Sequence, residues 1–313
     1  MILALTLNPA IDKVYAVTNF QVNEVFRAEA MTQTAGGKGL NVARVAALLG
    51  EPVTAAGFSG GVAGSLITAQ IQNQGIISRF LEIKGESRTN IAIMDRKNHT
   101  STEVLEPGPS IEPGECDRFI QYYTELLSSC DLVTASGSLP RGVPADYYRT
   151  LAELAQSQGK RFILDSSGDP LRFGIEAAPY MVKPNREECQ KLLGAPPGRS
   201  PLSDWAWMVV ELASRGVEYP CVTLGRDGCV VKIGFAIYHL YGPAIEVVNT
   251  VGSGDSFVAG CAVGFRRGLP PLDAFKLGMA CGMVNTQFFE TGMITVDLVR
   301  KYGTMINVET VRV

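Results

Sequence analysis

Short apolar runs alternate with helix-length amphipathic segments along most of this 313-residue chain. Residues 53–58, 131–136, 161–166, 180–183 and 221–224 are short, apolar and bounded by turn residues, as buried strands are. Between them, residues 40–49, 64–74, 116–129, 144–158, 186–193 and 204–215 carry helical periodicity. That order predicts an α/β fold, a mostly parallel sheet with helices on both faces. Residues 11–34 and 83–105 break the rule, with polar alternation and turn residues but no helical period. They predict a small separate sheet that projects over the main one as a lid. Hydrophobic residues make up 46% and charged residues 19%, enough for a large core. No repeat or linker divides the chain, so residues 1–313 read as a single domain.

Composition also excludes partners. With 28 basic and 31 acidic residues the net charge is −3, and no Lys/Arg run is long enough for a nucleic-acid patch. No apolar run reaches membrane-spanning length, and the first seven residues lack the basic flank of a signal peptide. The seven cysteines are odd in number and form no CxxC pair, which points to a reducing cytoplasm rather than to disulfides or zinc. The expectation is a soluble cytoplasmic protein.

The chemistry concentrates in Thr250-Val251-Gly252-Ser253-Gly254-Asp255-Ser256. Two glycines stand between a β-branched run, residues 244–248, and an apolar segment reaching Phe265, an order that reads strand, tight turn, helix. Free N–H groups and the dipole at such a helix start make an anion site, most often for phosphate. Asp255 sets a carboxylate beside it. A phosphate cradle with a base at its edge suggests phosphoryl transfer.

Other polar clusters lie at predicted strand ends. They are Ser136-Gly137-Ser138, Asp165-Ser166-Ser167-Gly168, Lys183-Pro184-Asn185-Arg186-Glu187-Glu188 and Gly225-Arg226-Asp227-Gly228. Asn185 and Glu188 share one helix face, an oxygen pair that suits Mg2+. On spacing alone a helix-capping box explains them better. Gly36-Gly37-Lys38-Gly39 opens a helix and suggests close approach to an anionic ligand, although it is no P-loop because neither Ser nor Thr follows Lys38. Arg88 and Asn90 fall in the second lid segment, where an exposed charge ordinarily only solvates a strand edge.

Several matches fail. Gly57-Phe58-Ser59-Gly60-Gly61 fits a nucleophile elbow, but a hydrolase needs a late histidine, and only His99 and His239 exist. His239 lies in an alternating strand-like run, residues 235–241, where a structural role is expected. Asn98-His99-Thr100 fits a glycosylation sequon that a cytoplasmic chain would not use. Met279, Met283, Phe288 and Phe289 read as core packing.

Residues 36–50 and 251–260 together resemble the two signatures of the ribokinase-like (PfkB) carbohydrate kinases. The pieces Asn8-Pro9-Ala10-Ile11-Asp12, SGSLPRG, DSSG, KPNREE and VTLGRDG occur in the family's order, so the resemblance covers essentially the whole chain. NPAID, AGGKGLNVARV and SGSLPRG are similar to the branch acting on phosphorylated ketohexoses. Residues 83–86, 91–93, 102–109 and 146–148 look most like tagatose-6-phosphate kinases, whereas the spacing Arg88-Thr89-Asn90 is that of 1-phosphofructokinases.

The resemblance implies a ribokinase-like fold with a small β-sheet lid, ATP and Mg2+ as cofactors, and a homodimer formed through the lid. It implies transfer from ATP to D-tagatose 6-phosphate, with fructose 1-phosphate and then fructose 6-phosphate as the alternative acceptors. Asp255 would be the base, with Gly252, Ser253 and Gly254 stabilising the transferring group. A helix start should lower the Asp255 pKa, tolerable because a loose transition state asks little basicity of the base. Asp12, Gly37, Lys38, Asn41 and Ser138 would hold sugar hydroxyls, with Asn90 beside them, and Arg88 and Arg27 would meet the sugar's phosphate. Lys183, Asn185, Thr223, Gly225, Gly228, Gly252, Gly254 and Asn285 would line the nucleotide, and Glu188, through water, and Asn185 would hold Mg2+. A non-catalytic sensor on the same fold and a nucleoside kinase are the competing readings.

Overall fold

The computed structural model describes residues 1–98, 100–194, 198 and 200–311; His99 lies outside the described residues. The first strand, β1 (Ile2–Leu5), runs into the lid strands β2 (Ala10–Val17) and β3 (Ala30–Gly36). Helix α1 (Lys38–Leu48), β4 (Val53–Ser59), α2 (Gly61–Asn73) and β5 (Ile77–Glu82) return to the main sheet. The chain revisits the lid in β6 (Arg88–Asp95) and β7 (Thr100–Val104). Alternation then resumes with α3 (Pro113–Leu127), β8 (Leu132–Ser136), α4 (Tyr147–Ser157), β9 (Arg161–Asp165), α5 (Gly168–Ile175) and β10 (Met181–Val182). It continues through α6 (Arg186–Leu193), α7 (Pro201–Ser214), β11 (Tyr219–Thr223), β12 (Cys229–Ile233) and β13 (Ala236–Tyr241). Helices α8 (Ser253–Arg266), α9 (Pro271–Asn285) and α10 (Val296–Gly303) precede the last strand, β14 (Asn307–Val311).

Ten strands form the main sheet in the order β14-β13-β12-β11-β10-β9-β8-β1-β4-β5. From β11 to β5 every pairing is parallel, and β12, β13 and β14 add an antiparallel edge. One apolar layer packs α1, α2, α8, α9 and α10 on one face; the other packs α3 to α7 on the opposite face. Strand order reverses at β1, which pairs with β4 on one side and β8 on the other. That switch point opens a crevice at the carboxyl edge of the sheet. The carboxyl ends of β1, β8, β9 and β10 are therefore the places to find chemistry.

The lid is a four-stranded sheet ordered β3-β2-β6-β7. Residues 77–82 belong to the main sheet as β5, so the second lid segment begins at Arg88 rather than at residue 83. Asp95 ties the lid's outer end together by accepting from the backbone N–H groups of Asn19 and Phe20; burial would raise its carboxyl, but the Asn98 side chain and then these N–H groups hold it down to about 2.

One predicted strand is missing. Residues 244–248 form no ladder, because β13 already has β12 on one side and β14 on the other. The run instead passes the sheet as an extended approach to the glycine turn, held by Val248 and Asn249 N–H groups on the carbonyl of Thr286. Phe289 also departs from expectation: it is 43% exposed, on the loop after α9, whereas Met279 is buried as predicted. His239 is structural, its Nε2 lying 2.7 Å from the carbonyl of Asp227. Among the described residues, no helix is long and apolar enough to cross a membrane.

Candidate active site

Gly252 caps α8 in the left-handed region at φ 80, where a side chain is disfavoured. A Cβ there would also crowd Thr291 and Gly292 at 3.2 Å. Behind the turn, Asn285 at the end of α9 donates to the carbonyl of Val251 at 2.9 Å and accepts from the N–H of Gly292 at 2.8 Å. Asn285 is fully buried, so it braces the turn from within the chain rather than presenting a surface to a ligand. The first N–H groups of α8 consequently face the crevice without side-chain caps.

Asp255, in the first turn of α8, is 6% exposed. Burial, then the neighbouring Asp165, push its carboxyl up to about 6; Asn41, Lys38 and Lys183 oppose the rise. Sequence reasoning predicted a lowered value from the helix dipole. A dipole at a helix start contributes about 0.3–1 kcal/mol, while a rise from 3.8 to about 6 corresponds to about 3 kcal/mol. Desolvation wins. The Nδ2 of Asn41 donates to Asp255 Oδ2 at 2.8 Å and fixes the carboxylate.

Asp165, at the carboxyl end of β9, was placed at a strand end by the sequence but given no role there. It is 1% exposed, and both of its oxygens lack a hydrogen-bond partner among the described residues. Two ammonium groups compensate it: Lys183 Nζ at 3.3 Å and Lys38 Nζ at 3.6 Å. A buried carboxylate persists only when paired in this way. Asp165 in turn raises the pKa of Lys38 above its ordinary value. Lys183 reaches the start of α8, its Nζ lying 3.4 Å from where a Cβ on Gly254 would stand. Three charged side chains and the helix start thus converge on one point, a geometry for holding a phosphoryl group beside a base.

A second group of polar side chains gathers where the chain passes from β1 into the lid. Parallel pairing of β2 and β6 sets Asp12 opposite Asn90, whose Nδ2 donates to Asp12 Oδ1 at 2.8 Å. Gly36 lies directly under that carboxylate, and a Cβ there would overlap it. Burial raises the Asp12 pKa above its ordinary value. Arg88 Nε and Nη2 donate to the carbonyl of Asn8 at 3.2 and 2.9 Å, and Nη1 donates to the carbonyl of Glu106 at 3.3 Å. A guanidinium has five N–H donors, so Arg88 keeps some free for an anion. Ser138 accepts from Asn8 Nδ2 at 3.4 Å and Gly37 caps α1. Arg27 is not gathered here; it is exposed on the loop between β2 and β3.

Just after β10, Asn185 and Glu188 form a capping box: Asn185 Oδ1 accepts from Glu188 N–H at 2.8 Å and Glu188 Oε2 from Asn185 N–H at 2.9 Å. The plainer of the two sequence readings holds for these bonds. Glu188 lines a cavity of about 550 Å3 between α5 and α6. Thr223 bridges to Asn185, Gly225 opens an exposed turn, and Gly228 closes it so tightly that a Cβ would overlap the carbonyl of Leu240. A larger cleft of about 1070 Å3 runs beneath the lid from Asp12 and Asn90 to the residues 247–251 before the glycine turn. Among the described residues, no group of three His, Cys, Asp or Glu side chains could hold a metal ion by itself.

Residues 5–295 match the pattern of the pfkB family carbohydrate kinases. A Staphylococcus aureus protein named as a candidate phosphofructokinase is 31% identical, covers 99% of both chains and superposes with a TM-score of 0.85. A Thermotoga maritima protein named as a candidate 1-phosphofructokinase is 28% identical over 100% of both chains, with a TM-score of 0.89. Phosphofructokinase-2 from Escherichia coli is 26% identical over 97% of this chain and 98% of its own, with a TM-score of 0.90. The chain belongs to the pfkB family of carbohydrate kinases, enzymes that transfer a phosphoryl group to a hydroxyl acceptor.

Proposed function

We propose that this kinase phosphorylates a ketohexose phosphate from ATP, with D-tagatose 6-phosphate as first acceptor. The observation that carries the reading is the buried Asp255 at the start of α8, facing Lys38 and Lys183. The acceptor hydroxyl gives its proton to the Asp255 carboxylate. Its oxygen bonds to the γ-phosphorus while the bond from that phosphorus to the bridging oxygen breaks, releasing ADP. The transition state of such transfers is loose, so placement and charge stabilisation supply most of the rate. Lys183 and the N–H groups of Ser253 and Gly254 meet the transferring oxygens. A base near pKa 6 is ionised at neutral pH and still accepts a proton as the hydroxyl loses it.

Thr223, Gly225 and Gly228 line the nucleotide in this reading. Magnesium fits Glu188, which keeps one carboxylate oxygen free and would reach the ion through water. Asn185 fits it less well as a direct ligand, since its oxygen already caps α6. When bound, the ion neutralises phosphate charge. Arg88, with unused N–H groups, suits the phosphate already on the sugar, and Arg27 would join it from a partner's lid. Exposed Val22, Val25, Met31, Val104 and Leu105 on and beside the lid favour a homodimer through that sheet. Fructose 1-phosphate is the second candidate, favoured by the bond between Asn90 and Asp12. Fructose 6-phosphate is third.

ADP release with ATP and each of the three sugar phosphates tests the reading. The expected order is tagatose 6-phosphate, fructose 1-phosphate, fructose 6-phosphate. Turnover of unphosphorylated sugars alone would contradict the anionic acceptor, and a mass of one chain by light scattering would remove the lid pairing.

A further inference from the structure

An amide side chain attracts a carboxylate with its NH2 end and repels it with its oxygen, so the orientation of Asn41 beside Asp255 needs a cause. Arginine only donates hydrogen bonds. The Nη1 of Arg44 donates to Asn41 Oδ1 at 2.9 Å, which turns the Asn41 Nδ2 onto Asp255 Oδ2. The guanidinium is itself fixed from three other directions. Nη2 donates to the carbonyl of Ala35 at 2.6 Å, Nη1 to that of Thr291 at 3.2 Å, and Nε to Gln74 Oε1 at 3.1 Å. Gly292 leaves the room for this, since a Cβ on it would stand 3.0 Å from Nη1. These anchors lie on β3, on the loop against the glycine turn and on the end of α2.

We propose that Arg44 is a positioning residue for the transfer: it locks the Asn41 amide so that an N–H always meets the base. Arg44 reaches Asp255 through Asn41, and its charge also helps hold the Asp12 carboxyl down. Because Ala35 directly precedes Gly36 and Gly37, the same guanidinium ties the acceptor loop to the base. The inference rests on Asp255 being that base.

Asp255 faces Asn41 and Lys38 from α1, Lys183 from the turn after β10, and Asp165 from the end of β9. All of these remain when Arg44 is replaced. In Arg44→Met the amide is free to turn, and the carboxylate that loses the N–H holds its proton to higher pH. The rate kcat, measured from pH 5.5 to 9, should fall about tenfold near neutrality, the size of a hydrogen bond to an ionised group. The deficit should shrink toward pH 9, with both KM values little changed and Arg44→Lys recovering part of the loss. The substrates' own phosphates titrate alike in both proteins, and a rise in the Asp12 pKa on loss of the Arg44 charge would appear in the sugar's KM rather than in kcat.

Asn41→Ala should displace the profile in the same direction, and the double variant no further. If Arg44→Met fails to fold, Arg44→Lys and Asn41→Ala carry the same readout. A loss of equal size at every pH, or no loss, overturns the proposal. Asp255→Asn run alongside separates the two claims: its retained activity would remove the base, whereas an inactive Asp255→Asn with a flat Arg44→Met deficit removes only the role of Arg44.

Discussion

All five residues of β8, in the main sheet, are buried; all five residues of β7, in the lid, are exposed. These two strands stand in opposite relation to water on either side of one crevice, and that contrast frames a proposed division of the chemistry. Charges at the end of the main sheet are desolvated, which lifts Asp255 and forces Asp165 to share two lysines. Low dielectric strengthens such interactions, so stabilising a transferring phosphoryl group belongs there. The lid carries Asp12, Asn90 and Arg88, which we propose recognise the acceptor. Variants on the main-sheet side should therefore lower kcat, and variants on the lid side should raise the acceptor's KM.

The largest effect is expected from Asp255→Asn. Removing a general base lowers kcat by about a hundredfold to ten-thousandfold, and the isosteric amide relieves a buried carboxylate, so the melting temperature should hold or rise. Steady-state kinetics with a thermal melt checks both. A change confined to KM would break the division. A smaller effect is expected from Gly36→Ala, whose Cβ must displace the Asp12 carboxylate. Misplacing a binding group by an ångström costs about a hundredfold, and it should appear in kcat/KM for the sugar while nucleotide affinity is kept. Equal losses for both substrates would show that the two sides are not separable.

Much of this was legible in the chain. The alternation predicted the parallel sheet, and the glycine turn with Asp255 followed from local physics alone. What stayed hidden depended on partners distant in sequence. Asp165 reads as an ordinary aspartate at a strand end until Lys38 and Lys183 are seen to meet it. Arg44 sits in an apolar helical pattern that gives no hint of its four acceptors. The pKa of Asp255 went the opposite way from the helix-dipole argument, because burial is a property of the fold and not of the turn. Residues 244–248 have strand composition, but no free sheet edge was left for them.

The central claim is that Asp255 takes the proton of the attacking hydroxyl. A crystal structure with a non-hydrolysable ATP analogue and the sugar phosphate that turns over fastest tests it most directly. The account predicts that hydroxyl within about 2.6–3.2 Å of an Asp255 carboxylate oxygen, in line with the γ-phosphorus and with Lys183 on the γ-phosphate. A hydroxyl that lies beyond hydrogen-bond reach of Asp255, and on another carboxylate such as Asp12, would contradict it.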